Sequence, residues 1–153
     1  VIDYYPNGRI KNKAHFIDGE LNGEVISYSE NGNIIEKVFM KGKLLNGDAF
    51  AYYPSGKLKE KDSFKNGKRE GEAIIYYENE NVKQKSLFKN DKREGDLFIY
   101  YPSGKLRQTE KFINGKAEGE VIEYYESGAI KEKAYFINDK QEKERIRPTQ
   151  AVD

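Results

Sequence analysis

The side chains that could do chemistry recur at an interval of 24 residues. Basic groups make the most conspicuous column: Lys11, Lys59, Lys83, Arg107 and Lys131, with Lys13, Lys37, Lys61, Lys85 and Lys133 two positions further on. Tyrosine doublets keep step with them at Tyr52 and Tyr53, Tyr76 and Tyr77, Tyr100 and Tyr101, and Tyr124 and Tyr125. A basic surface carrying aromatic rings can hold an acidic protein strand, a phospholipid headgroup or another polyanion. The plainer reading is a solvated face whose lysine stems cover a sheet. Tyr53, Tyr77, Tyr101 and Tyr125, with Lys59, Lys83, Arg107 and Lys131, form the candidate interaction face, because exposed tyrosines are favoured interface anchors. Their predecessors Tyr52, Tyr76, Tyr100 and Tyr124 read as structural, packing against cross-strand neighbours.

Catalytic groupings are weaker. Glu36, Glu60 and Glu132 share a column, and paired carboxyls about 5 to 9 Å apart can cleave glycosides. Gln84 and Gln108 interrupt that column, however, and Asp62 and Glu110 share theirs with Val38 and Ala134, which no common catalytic task tolerates. His15 is the only histidine and cysteine is absent, so neither a metal site nor a nucleophile with its base is built. The reading is a protein that is not an enzyme and takes no cofactor or metal.

The columns must be positioned by a repeated unit. Gly23, Gly47, Gly71, Gly95 and Gly119 open successive copies, and Phe64, Phe88, Phe112 and Phe136 fall seventeen positions after the last four of them. An incomplete first copy supplies Tyr4, Tyr5, Gly8, Ile10 and Phe16. Within a copy, runs such as Glu72 to Tyr77 and Asn81 to Lys89 read as two strands separated by turns. Tyr53-Pro54-Ser55-Gly56 and Tyr101-Pro102-Ser103-Gly104 predict type I turns closed by a left-handed glycine. Asn66-Gly67, Asn114-Gly115, Asn90-Asp91 and Asn138-Asp139 mark the second turn. No stretch carries a capped 3.6-residue period, so almost no helix is expected.

Because 24 is even, a column stays on one face only if both turns have odd loops or both have even ones. Three-residue loops at both turns would gather Phe50, Tyr52, Leu58 and Phe64 on one face, with Ile74, Tyr76, Val82 and Phe88 in the next copy. Ala51, Tyr53, Lys59 and Lys61 would occupy the other, with the opening glycine leaving room for a neighbouring ring. The fold class is all-β: an elongated single-layer antiparallel meander of tandem β-hairpins over residues 1–142, then a polar tail, 143–153. Twelve strands would span roughly 55 Å.

Composition agrees with a thin structure. Charged residues make up 35% and hydrophobic ones 37%, too polar for a deep two-layer core, yet twelve Tyr and eight Phe supply regular apolar faces. A net charge of +1 argues against nucleic acid. No apolar run approaches the roughly 20 residues that span a bilayer as a helix. The chain starts at Val1 in mid-repeat, so a processed or truncated start is expected, and cytoplasmic and exported locations both stay open.

The recurring Gly-Glu-x-x-x-Tyr-Tyr-x-x-Gly-x-Leu followed by Phe-x-Asn-Gly-Lys resembles the MORN repeat in its bacterial variant form, over about residues 3 to 140. The resemblance implies a hairpin array that serves as a binding or scaffolding module. Some bacterial members are classed as antitoxin components, and eukaryotic members are linked to membrane junctions and phospholipids. The expected partner is a protein, with anionic lipid or polyanion binding, a passive spacer role and edge-to-edge homo-association as alternatives. Ser29 and Met40 in copy two and Glu80 in copy four depart from the pattern, so those units should be looser.

Overall fold

The computed structural model describes residues 1–142; the expected polar tail, 143–153, lies outside the described residues. Seventeen strands form one sheet. In chain order they are β1 (Ile2–Tyr4), β2 (Ile10–Ile17), β3 (Glu20–Tyr28), β4 (Ile34–Lys41), β5 (Leu44–Leu45), β6 (Gly47–Tyr52), β7 (Leu58–Lys65), β8 (Lys68–Arg69) and β9 (Gly71–Tyr76). There follow β10 (Val82–Lys89), β11 (Lys92–Arg93), β12 (Gly95–Tyr100), β13 (Leu106–Ile113), β14 (Lys116–Ala117), β15 (Gly119–Tyr124), β16 (Ile130–Ile137) and β17 (Lys140–Glu142). Each two-residue strand is the first rung of the longer strand behind it, so β7 pairs with both β8 and β9, and β10 with both β11 and β12. Every pairing is antiparallel and joins neighbours in sequence, giving the expected open meander of hairpins.

The turns differ from one another. At the first, Tyr53 N–H donates to the Lys57 carbonyl and Gly56 N–H to the Tyr53 carbonyl, both at 2.8 Å, with Gly56 at φ +85°. That is the expected three-residue loop with its left-handed closing residue. At the second, Lys65 pairs with Lys68, leaving a two-residue loop with Asn66 at φ 50° and Gly67 at φ 82°, the type I′ geometry that Asn-Gly favours. The expected three-residue loop is absent there.

An odd loop and an even loop in one 24-residue repeat would send each column to alternate faces. A one-residue bulge repairs the mismatch. Tyr52 pairs with Leu58 but Ala51 with Glu60, so Lys59 is left without an opposite number. Lys11, Ile35, Lys83, Arg107 and Lys131 are skipped in the same way. The expected faces are corrected accordingly. Phe50 lies opposite Lys61 and shares its face, while Phe64 lies opposite Gly47 and belongs to the other.

We call the face of Phe50, Lys61 and Ile74 the outer face and that of Ala49, Asp62 and Phe64 the inner face. The core is a thin stripe on the inner face. Ala73, Leu97 and Ala117 are buried there beside Asp62 and Ser86, the last only 2% exposed, and among the described residues no large side chain is fully buried. On the outer face Lys61 reaches Asp48 at 3.4 Å and Lys85 reaches Glu72 at 2.7 Å, and Lys37 and Lys133 pair likewise with Glu24 and Glu120. Four of the five lysines in that column are therefore matched by acids across neighbouring strands, Lys13 being the exception.

Backbone conformation explains the opening glycines better than room for a ring does. Gly47 sits at φ +133° with a Cβ position only 3.0 Å from the Phe39 Cβ, whereas Gly119, at φ +91°, has nothing within 4 Å. Replacing Gly47 with Ala should cost about 2 to 3 kcal/mol, combining left-handed strain with overpacking, and Gly119→Ala about 1 kcal/mol. Conversely, Glu80 holds the turn-glycine conformation at φ +70°, so Glu80→Gly should stabilise the fold by about 1 kcal/mol. Urea midpoints of the three variants check the order.

Candidate functional site

Two margins run along the array, one at the three-residue turns and one at the two-residue turns. At the first, each second tyrosine of a doublet reaches into the next copy. Tyr5 Oη donates to the Tyr28 carbonyl and Tyr53 Oη to that of Tyr76, each at 2.6 Å. Tyr77 and Tyr101 bond the carbonyls of Tyr100 and Tyr124 at 2.7 Å. The bulge aims the extra basic side chain back over the same ring. Lys11, Lys59, Lys83 and Arg107 lie 5.8, 5.8, 5.6 and 5.7 Å from the ring centroids of Tyr5, Tyr53, Tyr77 and Tyr101, within cation–π range. Copy two lacks the tyrosine at Ser29 and lacks the cation at Ile35. Ring and cation are thus lost together.

The candidate interaction residues therefore come together as a ladder, but with mixed duties. Tyr53, Tyr77 and Tyr101 are half-buried couplers between copies, while Tyr125 is 51% exposed. Among the described residues Lys59 and Lys83 have no carboxylate within 4 Å, whereas Arg107 and Lys131 approach Glu123 at 3.8 and 3.0 Å. The Glu123 hydrogen bond raises the Lys131 pKa above its ordinary value. Tyr52, Tyr76, Tyr100 and Tyr124 are half-buried on the outer face, opposite Leu58, Val82, Leu106 and Ile130. Phe64, Phe88, Phe112 and Phe136 lie on the inner face opposite Gly47, Gly71, Gly95 and Gly119, while Gly23 has Met40 opposite.

Sequence reasoning missed the other margin. The residue before each of the last four opening glycines accepts a hydrogen bond from the next turn: Asn66 N–H donates to Asn46 Oδ1 at 3.1 Å, and Asn90, Asn114 and Asn138 N–H donate to the carboxylates of Glu70, Glu94 and Glu118 at 2.8, 2.7 and 3.0 Å. The recurrence of an acceptor just ahead of the glycine was the available signal. Also missed were Arg69 and Arg93 on the inner face, whose guanidinium groups lie 5.1 and 5.8 Å from the Phe88 ring centroid.

The inner face holds two perturbed carboxyls. Arg69 bonds Asp62 Oδ2 at 2.8 Å and lies 3.8 Å from Glu60. Burial first, and the adjacent Asp62 carboxylate second, push the Glu60 carboxyl above the usual value despite Arg69. Burial also raises Glu110, against the pull of Arg93 and the Gln108 hydrogen bond. Among the described residues no cluster of three or more His, Cys, Asp or Glu has metal-holding geometry. His15 sits against Gly23 at the first copy.

The tandem hairpins are coupled at both margins, and two of them, residues 93–114 and 117–138, match the MORN repeat variant. Residues 1–97 match a family described as "Uncharacterised protein", and the chain belongs to that family. Neither description speaks of an antitoxin. No curated protein matches the chain significantly. Among solved structures, the crystal structure of GtfA/B complex bound to UDP and GlcNAc aligns with 72% of this chain at 12% identity and a TM-score of 0.31. The chain spans 22% of that protein's length.

Tyr77→Phe should cost about 0.5 to 1.5 kcal/mol by deleting the bond to the next copy. Tyr76→Phe should stay within about 0.5 kcal/mol, since the Tyr76 hydroxyl bonds nothing among the described residues. Thermal unfolding compares the two. A second expectation concerns pH. Glu60 and Glu110 keep their protons in the folded chain at pH values where the unfolded chain has lost them, so stability falls as pH rises between the ordinary and the raised pKa. Acidifying from neutrality into that window should raise the thermal midpoint until other carboxylates protonate. The Glu60→Gln, Glu110→Gln double variant should lose this rise.

Proposed function

We propose that this chain is a non-catalytic scaffold that binds an acidic protein partner along the margin of three-residue turns. The supporting observation is a set of cations held on tyrosine rings without acid partners. In the outer-face column Lys37, Lys61, Lys85 and Lys133 are matched by acids, with Lys13 the exception. In the bulge column Lys11, Lys59 and Lys83 each lie on a tyrosine ring with no carboxylate within 4 Å among the described residues, while Arg107 and Lys131 approach Glu123. Cations held over rings lose less freedom on binding than free lysines do, which favours association.

Replacing Lys59, Lys83 and Arg107 with Gln leaves every tyrosine coupler in place, so the fold should persist. Retention of the chain on immobilised polyglutamate should fall at least tenfold in the triple variant, and variants should elute at progressively lower salt than the wild type as ladder residues are removed. Unchanged retention by a folded triple variant refutes the margin. Vesicles containing phosphatidylserine provide the contrasting arm: stronger retention on them than on polyglutamate would transfer the ladder to the anionic-lipid reading. An antitoxin is the narrower form of the protein-binding reading. It requires that co-expression relieve the toxicity of a partner, and that the triple variant fail to do so.

A further inference from the structure

The third copy breaks the repeat where breaking it is most costly. Along the inner column that holds Val38 in copy two and Ala134 in copy six, copy three places Asp62, only 6% exposed. Val38 shows that the site accepts an apolar side chain. Arg69 covers one carboxylate oxygen, Oδ2, while Oδ1 is buried with no hydrogen-bond partner. A buried carboxylate oxygen left unpaired is a large penalty for a position that tolerates valine.

The surroundings show what would satisfy it. Asp62 borders a cavity of about 340 Å³ that Glu36 and Glu60 also enter and whose apolar wall includes Val38 and Phe64. Its volume lies in the range that encloses small organic groups. Three carboxylates face one guanidinium, Arg69, which is itself half-exposed, so the cavity carries an excess of negative charge beside an apolar wall. No other copy combines these groups: Gln84 and Ser86, Gln108 and Glu110, and Glu132 and Ala134 replace Glu60 and Asp62.

We propose that this cavity binds a guanidinium or primary ammonium group carried on an apolar stem. The cation would face Asp62 Oδ1, Glu60 and Glu36, and the stem would lie on Val38 and Phe64. The source is either a free alkylamine or alkylguanidine or the arginine or lysine side chain of a protein. The site shares no residue with the tyrosine margin, so it stands or falls separately from the acidic-partner reading.

Titration of the isotope-labelled chain with butylguanidinium and butylammonium, followed by amide NMR, tests it. Saturable shifts should concentrate at Ala49, Asp62 and Phe64 and be absent with uncharged butanol. The Glu60→Gln, Asp62→Val variant should bind at least tenfold more weakly while remaining as stable as wild type, because valine fits this column and Arg69 can turn to solvent. Glu36→Gln, which leaves the Asp62 and Arg69 pair intact, should weaken binding with no change in fold. A capped Gly-Arg-Gly peptide separates the sources: at least tenfold tighter binding than butylguanidinium assigns a protein side chain, and equal binding assigns a free small cation. Equal shifts from butanol, or full affinity in either folded variant, overturn the proposal.

Discussion

Parity is the constraint on which the rest of this structure depends. A hairpin array can stack equivalent side chains only if successive copies present the same face, and a three-residue loop followed by a two-residue loop violates that condition. The bulge at Lys59 and its equivalents restores it once per copy. A bulge leaves one side chain without a cross-strand partner and turns it out of the ladder. Here that side chain is basic in five of the six copies and in four of them, at Lys11, Lys59, Lys83 and Arg107, rests on the ring of the preceding turn. Folding geometry and the candidate binding ladder thus have one origin.

The repeat, the hairpins and the absence of helix among the described residues were legible because each follows from local pattern: Gly at the opening column, Pro-Ser-Gly and Asn-Gly at the turns, strand-forming runs between. Face assignment was not. Leu58-Lys59-Glu60-Lys61 carries no local mark of a bulge, since any residue can occupy the extra position. Asn66-Gly67 did contain the missing information, because that dipeptide specifies a two-residue turn. Accepting it beside the three-residue turn at Gly56 would have forced the bulge by arithmetic. The role of Tyr53 was half-legible: its recurrence marked importance, but a hydroxyl reaching a carbonyl 23 residues on depends on how far successive turns are offset, and no residue type records that offset.

The inner face inverts the usual relation between burial and polarity. Its central stripe is buried without a second layer, and long side chains such as Arg69 and Arg93 lie along it and over Phe88. A thin core of Ala73, Leu97 and Ala117 cannot compensate for many uncompensated charges. The polar residues most buried on this face are accordingly either amides and hydroxyls, as at Gln84 and Ser86, or carboxylates beside an arginine, as at Asp62 and Glu110, while Glu36 and Glu132 are exposed. Copy three exceeds that allowance, with two adjacent carboxylates and one arginine, and the raised Glu60 pKa is the consequence.

Coupling between copies sets where such an array yields. In a nearly one-dimensional stack, stability is the sum of each unit and its contacts with its neighbours, so the weakest rung opens first. Between copies two and three the tyrosine coupler is missing: Ser29 Oγ turns back on its own loop to the Asn33 carbonyl, leaving Asn33 Nδ2 to reach the Pro54 carbonyl at 3.1 Å. At the opposite margin this junction uses the neutral Asn46 acceptor in place of the carboxylates of Glu70, Glu94 and Glu118, and charged acceptors make the stronger bond. Both margins are therefore weaker at this junction than at the three that follow it, and from it Glu36 enters the cavity that copy three lines with Glu60 and Asp62. A ligand drawing those carboxylates together would bridge the junction and stiffen the array where the tyrosine coupler is missing.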